Sequence, residues 1–163
     1  WNSAGKTLVA STVGIAQQEN LLNINNKASD YLGTEWTSMP LAKENLITVR
    51  HLLTMTSGND DTKQLVIKPN LTYVADAGTR WAYSNIFQKL TDVVADAANK
   101  PFETYFNEKI KNKIVRSHGG SIFGFKSMGV YLPKEKVYVI GLSNCDCNSP
   151  TQITKDIATL FVE

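Results

Sequence analysis

The sequence predicts an α/β domain of the α+β layered kind, an antiparallel sheet packed with helices. Three observations carry this prediction. Apolar residues recur at helical spacing in most segments up to Ile114. The pattern then switches to period two between Ser117 and Asn144, folded about a turn at Pro133-Lys134-Glu135-Lys136. An amphipathic stretch opened by Pro150 and Thr151 closes the chain. At 163 residues, with 42% hydrophobic and 20% charged side chains, residues 1–163 read as one globular domain with its own core. There is no internal repeat and no low-complexity segment.

The first helix begins in Trp1-Asn2-Ser3-Ala4-Gly5-Lys6 and continues through residues 7–18. Leu8, Val9, Val13, Ile15 and Ala16 give it apolar sides on more than one face, which suits a buried central helix. Residues 27–32 read as a helical turn stopped by Gly33. A polar stretch with Trp36 and Pro40 follows. Thr48 then caps a short apolar helix that Gly58 is expected to stop. His51 lies inside that helix with no acidic residue spaced to orient it, so it reads as a satisfied structural imidazole. Residues 59–79 are irregular and contain the sequon Asn70-Leu71-Thr72. A helix over 86–98 carries Phe87, Leu90, Val93, Val94 and Ala97 at helical spacing. Asn99-Lys100-Pro101 breaks it, and Pro101 opens another helix with the stripe Phe102, Tyr105, Phe106, Ile110 and Ile114. A strand running from His118 through Leu132 and a second over 137–144 form an antiparallel hairpin, with His118-Gly119-Gly120 at a sheet edge. The last helix should bury Ile153, Ile157, Leu160 and Phe161.

Composition excludes several classes. The net charge is +2 with no basic stripe, and Lys109, Lys111 and Lys113 read as a solvated helix face, so no nucleic-acid partner is expected. No apolar run reaches membrane-spanning length, and no signal-peptide pattern is visible at the start. Cys145 and Cys147 are separated by one residue, which reads as two reduced or partly buried thiols.

Ser3 and Lys6 stand one helical turn apart on one face. A serine hydroxyl needs a base before it is a good nucleophile, and a neutral lysine amine one turn away supplies one. The free N–H groups of a helix start favour negative charge developing beside the serine. By itself the spacing also fits a surface serine and a solvated lysine. Tyr83 and Asn85 stand two apart before a helix and can face one cleft; without Ser3 and Lys6, Tyr83 would read as a core or rim aromatic. Beside Lys6, the Tyr83 hydroxyl can share its proton, as base toward Ser3 and acid toward the leaving group. Asn85 can bind the substrate's amide and hold Lys6. The two glycines after His118 let a substrate lie close to the backbone.

Ser3-x-x-Lys6, Tyr83-Ser84-Asn85 and His118-Gly119-Gly120 follow one another in one order. In this the chain resembles the serine β-lactamase and penicillin-binding-protein superfamily. It is most similar to the branch of class C β-lactamases, D-alanyl-D-alanine carboxypeptidases and family VIII esterases. Leu46 to Gly58, Phe125, and the strand ending Leu142-Ser143-Asn144 resemble segments of that branch. The resemblance implies a β-lactamase/transpeptidase-like fold of reduced size and a serine hydrolase working through an acyl-enzyme on an ester or amide substrate, small molecule or peptide. It implies Ser3, Lys6 and Tyr83 as catalytic residues, with Asn85, His118, Gly119, Gly120 and Ser121 binding substrate. The backbone N–H groups of Ser3 and Ser121 would form the oxyanion hole. His118 stands where many relatives carry lysine, as electrostatic support for the cleft or simply as the end of a strand. A glycine replaces the Thr or Ser often found in the middle of that motif, which favours esters or small amides over β-lactams. No metal or cofactor is called for. Relatives carry strands before the Ser-x-x-Lys helix and an insertion before the His118 strand. Without them the sheet would have an exposed edge that invites a homo-oligomer. Relatives are typically bacterial and extracytoplasmic. The rival reading is a non-catalytic binding or scaffold protein that keeps the family core.

Overall fold

The computed structural model describes residues 3–110, 118–132, 136–145 and 149–161. The chain forms two compact units, Ala10–Lys109 and the pair of segments Trp1–Val9 and Ile110–Glu163. Helix α1 (Ala4–Gln18) runs from the second of these into the first.

The Ala10–Lys109 unit is helical. It contains α2 (Ser29–Leu32), α3 (Leu41–Glu44), α4 (Val49–Leu53), α5 (Lys89–Ala98) and most of α6 (Phe102–Ile110). Val13 and Ala16 of α1 are fully buried, as the apolar sides of that helix predict. Leu90, Val93 and Val94 form the buried stripe of α5, against which α2 and α4 pack. Asn99 in the left-handed region closes α5, one of the few residue types that tolerates this conformation. On α6, Tyr105 is buried and its hydroxyl donates to Glu19 Oε2 at 2.9 Å, tying α6 to the end of α1. Burial first, then the Glu19 carboxylate, pushes this phenol well above its ordinary pKa. Ile114, expected on the same stripe, lies outside the described residues.

Helix α4 starts as predicted and stops early. The His51 N–H donates to Thr48 Oγ1 at 3.3 Å, and the Thr48 N–H donates to His51 Nδ1 at 3.2 Å. The imidazole thus takes the part that Glu or Gln usually plays in a capping box, which gives His51 its structural role. The helix ends at Leu53, not Gly58, because Met55 reverses the chain at φ 57°. Gly58 serves another end. A Cβ there would sit 2.0 Å from the Ala75 carbonyl oxygen, so only glycine lets residues 74 and 75 hydrogen-bond to its carbonyl. Residues 59–79 are irregular, as expected, but tied down. Lys43 of α3 pairs with Asp76, which also accepts from the Tyr73 hydroxyl. The sequon residue Asn70 donates its side chain to the Leu65 carbonyl.

The other unit carries the sheet: β1 (His118–Ile122), β2 (Phe125–Leu132) and β3 (Val137–Ser143), antiparallel in the order β1-β2-β3. The predicted two-strand hairpin is therefore corrected to three strands. Phe123-Gly124 is a two-residue turn, with Gly124 at φ +75° and Ile122 paired to Phe125. His118-Gly119-Gly120 does lie on an outer strand, and among the described residues β3 pairs only with β2. Helix α7 (Pro150–Thr159) packs on β2 and β3 through a face the sequence did not point to. Thr154 and Ala158 are 1% and 4% exposed, whereas Ile153 and Leu160 are 53% and 80% exposed. Gly141 explains the choice of small residues. The helix sits so close that a Cβ at this position would lie 2.0 Å from Thr154 Oγ1. Gly141→Ala is therefore expected to cost about 1–3 kcal/mol through overpacking, read as a lowered urea midpoint, while Ile153→Ser on the exposed side leaves the midpoint within error.

Cys145 is disulfide-bonded, which corrects the expectation of free thiols. Ser143 Oγ both donates to the Cys145 carbonyl and accepts from its N–H, curling the backbone at the end of β3, so a one-residue sequence spacing did not fix the local geometry. Cys147 lies outside the described residues.

Candidate active site

Ser3 stands immediately before α1 and accepts the Lys6 N–H on its carbonyl at 3.2 Å, closing the first turn. Both side chains are half-buried. Ser3 lines a cavity of about 310 Å³ together with Gly119, Gly120 and Ser121 of β1. Residues far apart in sequence are thus gathered by the edge strand and the helix start within one unit. A Cβ at Gly119 would meet only ordinary contacts, 3.5 Å from the Ser127 carbonyl oxygen. The fold would accept a side chain there, and its absence leaves bare backbone.

Lys6 and His118 are not among the lining residues. His118 is exposed at the start of β1, its Nδ1 2.6 Å from the Gly119 carbonyl oxygen.

The remaining wall comes from Lys126 and Ser127 of β2 and Thr151 in the first turn of α7. Sequence reasoning missed all three. A signal existed for the first: once Phe123-Gly124 is recognised as a turn, the register places Lys126 directly across from Ser121. Thr151 had none, since its place depends on how α7 docks.

Tyr83 and Asn85 belong to the Ala10–Lys109 unit. Ser84 between them is extended and buried, and its hydroxyl accepts the Ile86 N–H at 3.3 Å to cap a 3-10 turn over Asn85–Gln88. This turn begins the helix predicted over 86–98, and α5 takes over at Lys89. An extended middle residue puts the side chains on either side of it on a common face. Tyr83 is 50% exposed there. The segment is held from both sides. The Ala82 N–H donates to the Met55 carbonyl, and Arg80 pairs with Asp61 at 2.8 Å. That guanidinium holds the Asp61 carboxyl below its ordinary pKa. Asn85 spends its amide nitrogen on Gln64, reaching the main-chain oxygen at 3.0 Å and Oε1 at 3.3 Å. Gln64 also escaped the sequence reading, being a loop residue with no local pattern to mark it.

Among the described residues no group of three or more His, Cys, Asp or Glu side chains is placed to hold a metal ion, and no helix is long and apolar enough to cross a membrane.

The beta-lactamase family profile matches residues 1–118. No curated protein sequence matches the chain. Several solved structures share the fold. One is a D-stereospecific amidohydrolase from Streptomyces sp., 19% identical with a TM-score of 0.60, covering 68% of this chain and 40% of its own. A second is EstCE1, a hydrolase with promiscuous acyltransferase activity, 17% identical with a TM-score of 0.58, covering 73% of this chain and 38% of its own. A third is the octameric penicillin-binding protein homologue from Pyrococcus abyssi, 12% identical with a TM-score of 0.63, covering 98% of this chain and 65% of its own. The chain thus spans about two fifths of the first two and less than two thirds of the third.

Proposed function

Because the chain belongs to the beta-lactamase family, we propose that it is a serine hydrolase acting through an acyl-enzyme on an ester or amide. The observation that carries this reading is the cavity joining Ser3 to the backbone of Gly119, Gly120 and Ser121. In the proposed reaction the Ser3 hydroxyl attacks the substrate carbonyl and gives its proton to Lys6. The N–H groups of Ser3 and Ser121 hold the oxyanion, each contributing roughly 3–4 kcal/mol. Tyr83 with Lys6 returns a proton to the leaving group, and Asn85 positions the substrate. Water then attacks the ester on Ser3, Lys6 takes its proton, and the acid leaves as the serine hydroxyl is restored. The neighbours' amide hydrolysis and acyl transfer fit the same step of serine acylation.

Intact mass after treatment with a fluorophosphonate, and separately with a penicillin, tests this reading. One fluorophosphonate adduct, absent from Ser3→Ala, is the expected result; the penicillin arm then sorts peptidase-like from esterase-like sites. A folded protein that takes no adduct overturns the hydrolase and leaves a binding or scaffold role on the same fold.

The reading extends to assembly. Strand β3, Val-Tyr-Val-Ile-Gly-Leu-Ser, carries no charged or proline residue to blunt its outer edge. We propose that copies of the chain associate there, as the octameric state of one structural neighbour suggests. Sedimentation equilibrium should give a mass above that of one chain, reduced by Val139→Lys. A monomer across the micromolar range removes the proposal.

A further inference from the structure

We propose that Asp61 and Gln64 are positioning residues that brace the segment 80–85 at its two ends and so hold Tyr83 and Asn85 in working order; this rests on the reading of Tyr83 as the group that returns a proton to the leaving group. On one side of Tyr83, Arg80 Nη1 donates to Asp61 Oδ1 at 2.8 Å. On the other, Asn85 Nδ2 donates to the Gln64 carbonyl oxygen at 3.0 Å, with Oε1 of the same residue at 3.3 Å. The short loop run 61–64 is thus tied across the run that carries Tyr83. All of these residues lie within the Ala10–Lys109 unit.

Tyr83 needs such a hold. It is 50% exposed, so packing covers only part of it, and residues 80–84 belong to no helix or strand. The brace is itself rooted. Asp60 Oδ1 accepts the Thr62 N–H at 2.9 Å and the Thr62 hydroxyl at 2.7 Å, which closes a turn at the start of the run. The Asp60 N–H donates to the Thr72 carbonyl at 3.0 Å. Gln64 also settles which way the Asn85 carboxamide points. Both of its contacts are oxygens, so only the NH₂ end faces them, and Oδ1 is left as the acceptor that Asn85 offers. A carboxamide free to turn over would present either end. A displacement of about 1 Å at a reacting group costs roughly a hundredfold in rate. An exposed tyrosine and a reversible amide are therefore where supporting bonds matter most.

Two esters that give the same acetyl-enzyme separate positioning from stability. p-Nitrophenolate leaves without a proton, whereas the ethoxide of ethyl acetate has to be protonated as it departs. In Asp61→Ala/Gln64→Ala, kcat/KM for ethyl acetate should fall about tenfold or more beyond the fall for p-nitrophenyl acetate. A loss of folded protein lowers both rates equally and leaves their ratio unchanged. Gln64→Glu keeps a side-chain and a main-chain oxygen as acceptors for Asn85 and should hold the wild-type ratio. Hydrogen exchange should quicken in the double variant at the Ala82 amide, which donates to the Met55 carbonyl, and at the Ile86 amide, which donates to Ser84 Oγ. A ratio unchanged from wild type in the double variant, or exchange at wild-type rates, would each overturn the proposal while an active wild type keeps the hydrolase. A wild type that hydrolyses neither ester removes the hydrolase reading and the positioning role with it.

Discussion

Ser3→Ala is expected to lower kcat toward an activated ester by about ten-thousand-fold or more, with KM nearly unchanged. The reason is chemical rather than steric. The methyl group of alanine fits wherever the serine side chain fits, the first turn of α1 keeps its Lys6 N–H to residue 3 carbonyl bond, and the cavity keeps the backbone of β1. What disappears is the atom proposed to form the acyl bond. Lys6→Ala should cost nearly as much in kcat, because a hydroxyl that retains its proton is a poor nucleophile at neutral pH. The double variant should be no slower than Ser3→Ala alone, since two residues that act on one step lose it only once. Initial rates with p-nitrophenyl acetate, in protein purified from a host lacking other esterases, measure all three. Turnover that survives Ser3→Ala would remove Ser3 as nucleophile. A double variant slower by a further large factor would show that Lys6 works outside the Ser3 step.

Local chemistry was readable in the sequence wherever a residue's role depends on near neighbours. Thr48 caps α4 because its hydroxyl reaches a backbone N–H three residues on, and Asn99 ends α5 because it tolerates the left-handed region. The buried stripe of α5 followed from periodicity in the same way. What failed depended on distant partners. The hydropathy of α7 pointed Ile153 and Leu160 inward, but Gly141 lets the sheet accept only a small-residue face, so Thr154 and Ala158 pack there. The two halves of the 118–132 stretch looked like one strand because the turn residues Phe123 and Gly124 interrupt the alternation without a strong breaker. That error hid the pairing of Lys126 with Ser121 and with it the β2 part of the cavity wall. Gln64 reaches Asn85 across 21 positions, a distance over which no local pattern operates.

Glu44→Ala is expected to destabilise the fold by about 3–5 kcal/mol, the largest loss from any single side chain outside the apolar core. Glu44 ends α3 and is 0% exposed, and both of its carboxylate oxygens accept hydrogen bonds. Oε1 takes the Glu35 N–H at 2.7 Å. Oε2 takes the Thr37 N–H at 2.8 Å and the Thr37 hydroxyl at 2.6 Å. Alanine leaves three donors without an acceptor, and Thr37 is itself buried, so water does not readily replace the carboxylate. Glu35 is a non-glycine residue at φ 61°, a conformation that needs an external hold. Glu44→Gln should cost less, roughly 1–3 kcal/mol, because one oxygen still accepts while the new NH₂ faces a donor. The damage should also spread along a defined route. Lys43, the neighbour of Glu44 on α3, holds Asp76 in the 59–79 loop, and Gln64 in the same loop holds Asn85. Limited proteolysis should therefore cut the 59–79 loop faster in Glu44→Ala, whereas Gly141→Ala, whose added methyl meets α7, should leave that loop's cleavage rate unchanged. A urea midpoint within error of wild type in Glu44→Ala would mean that the carboxylate does not organise this loop.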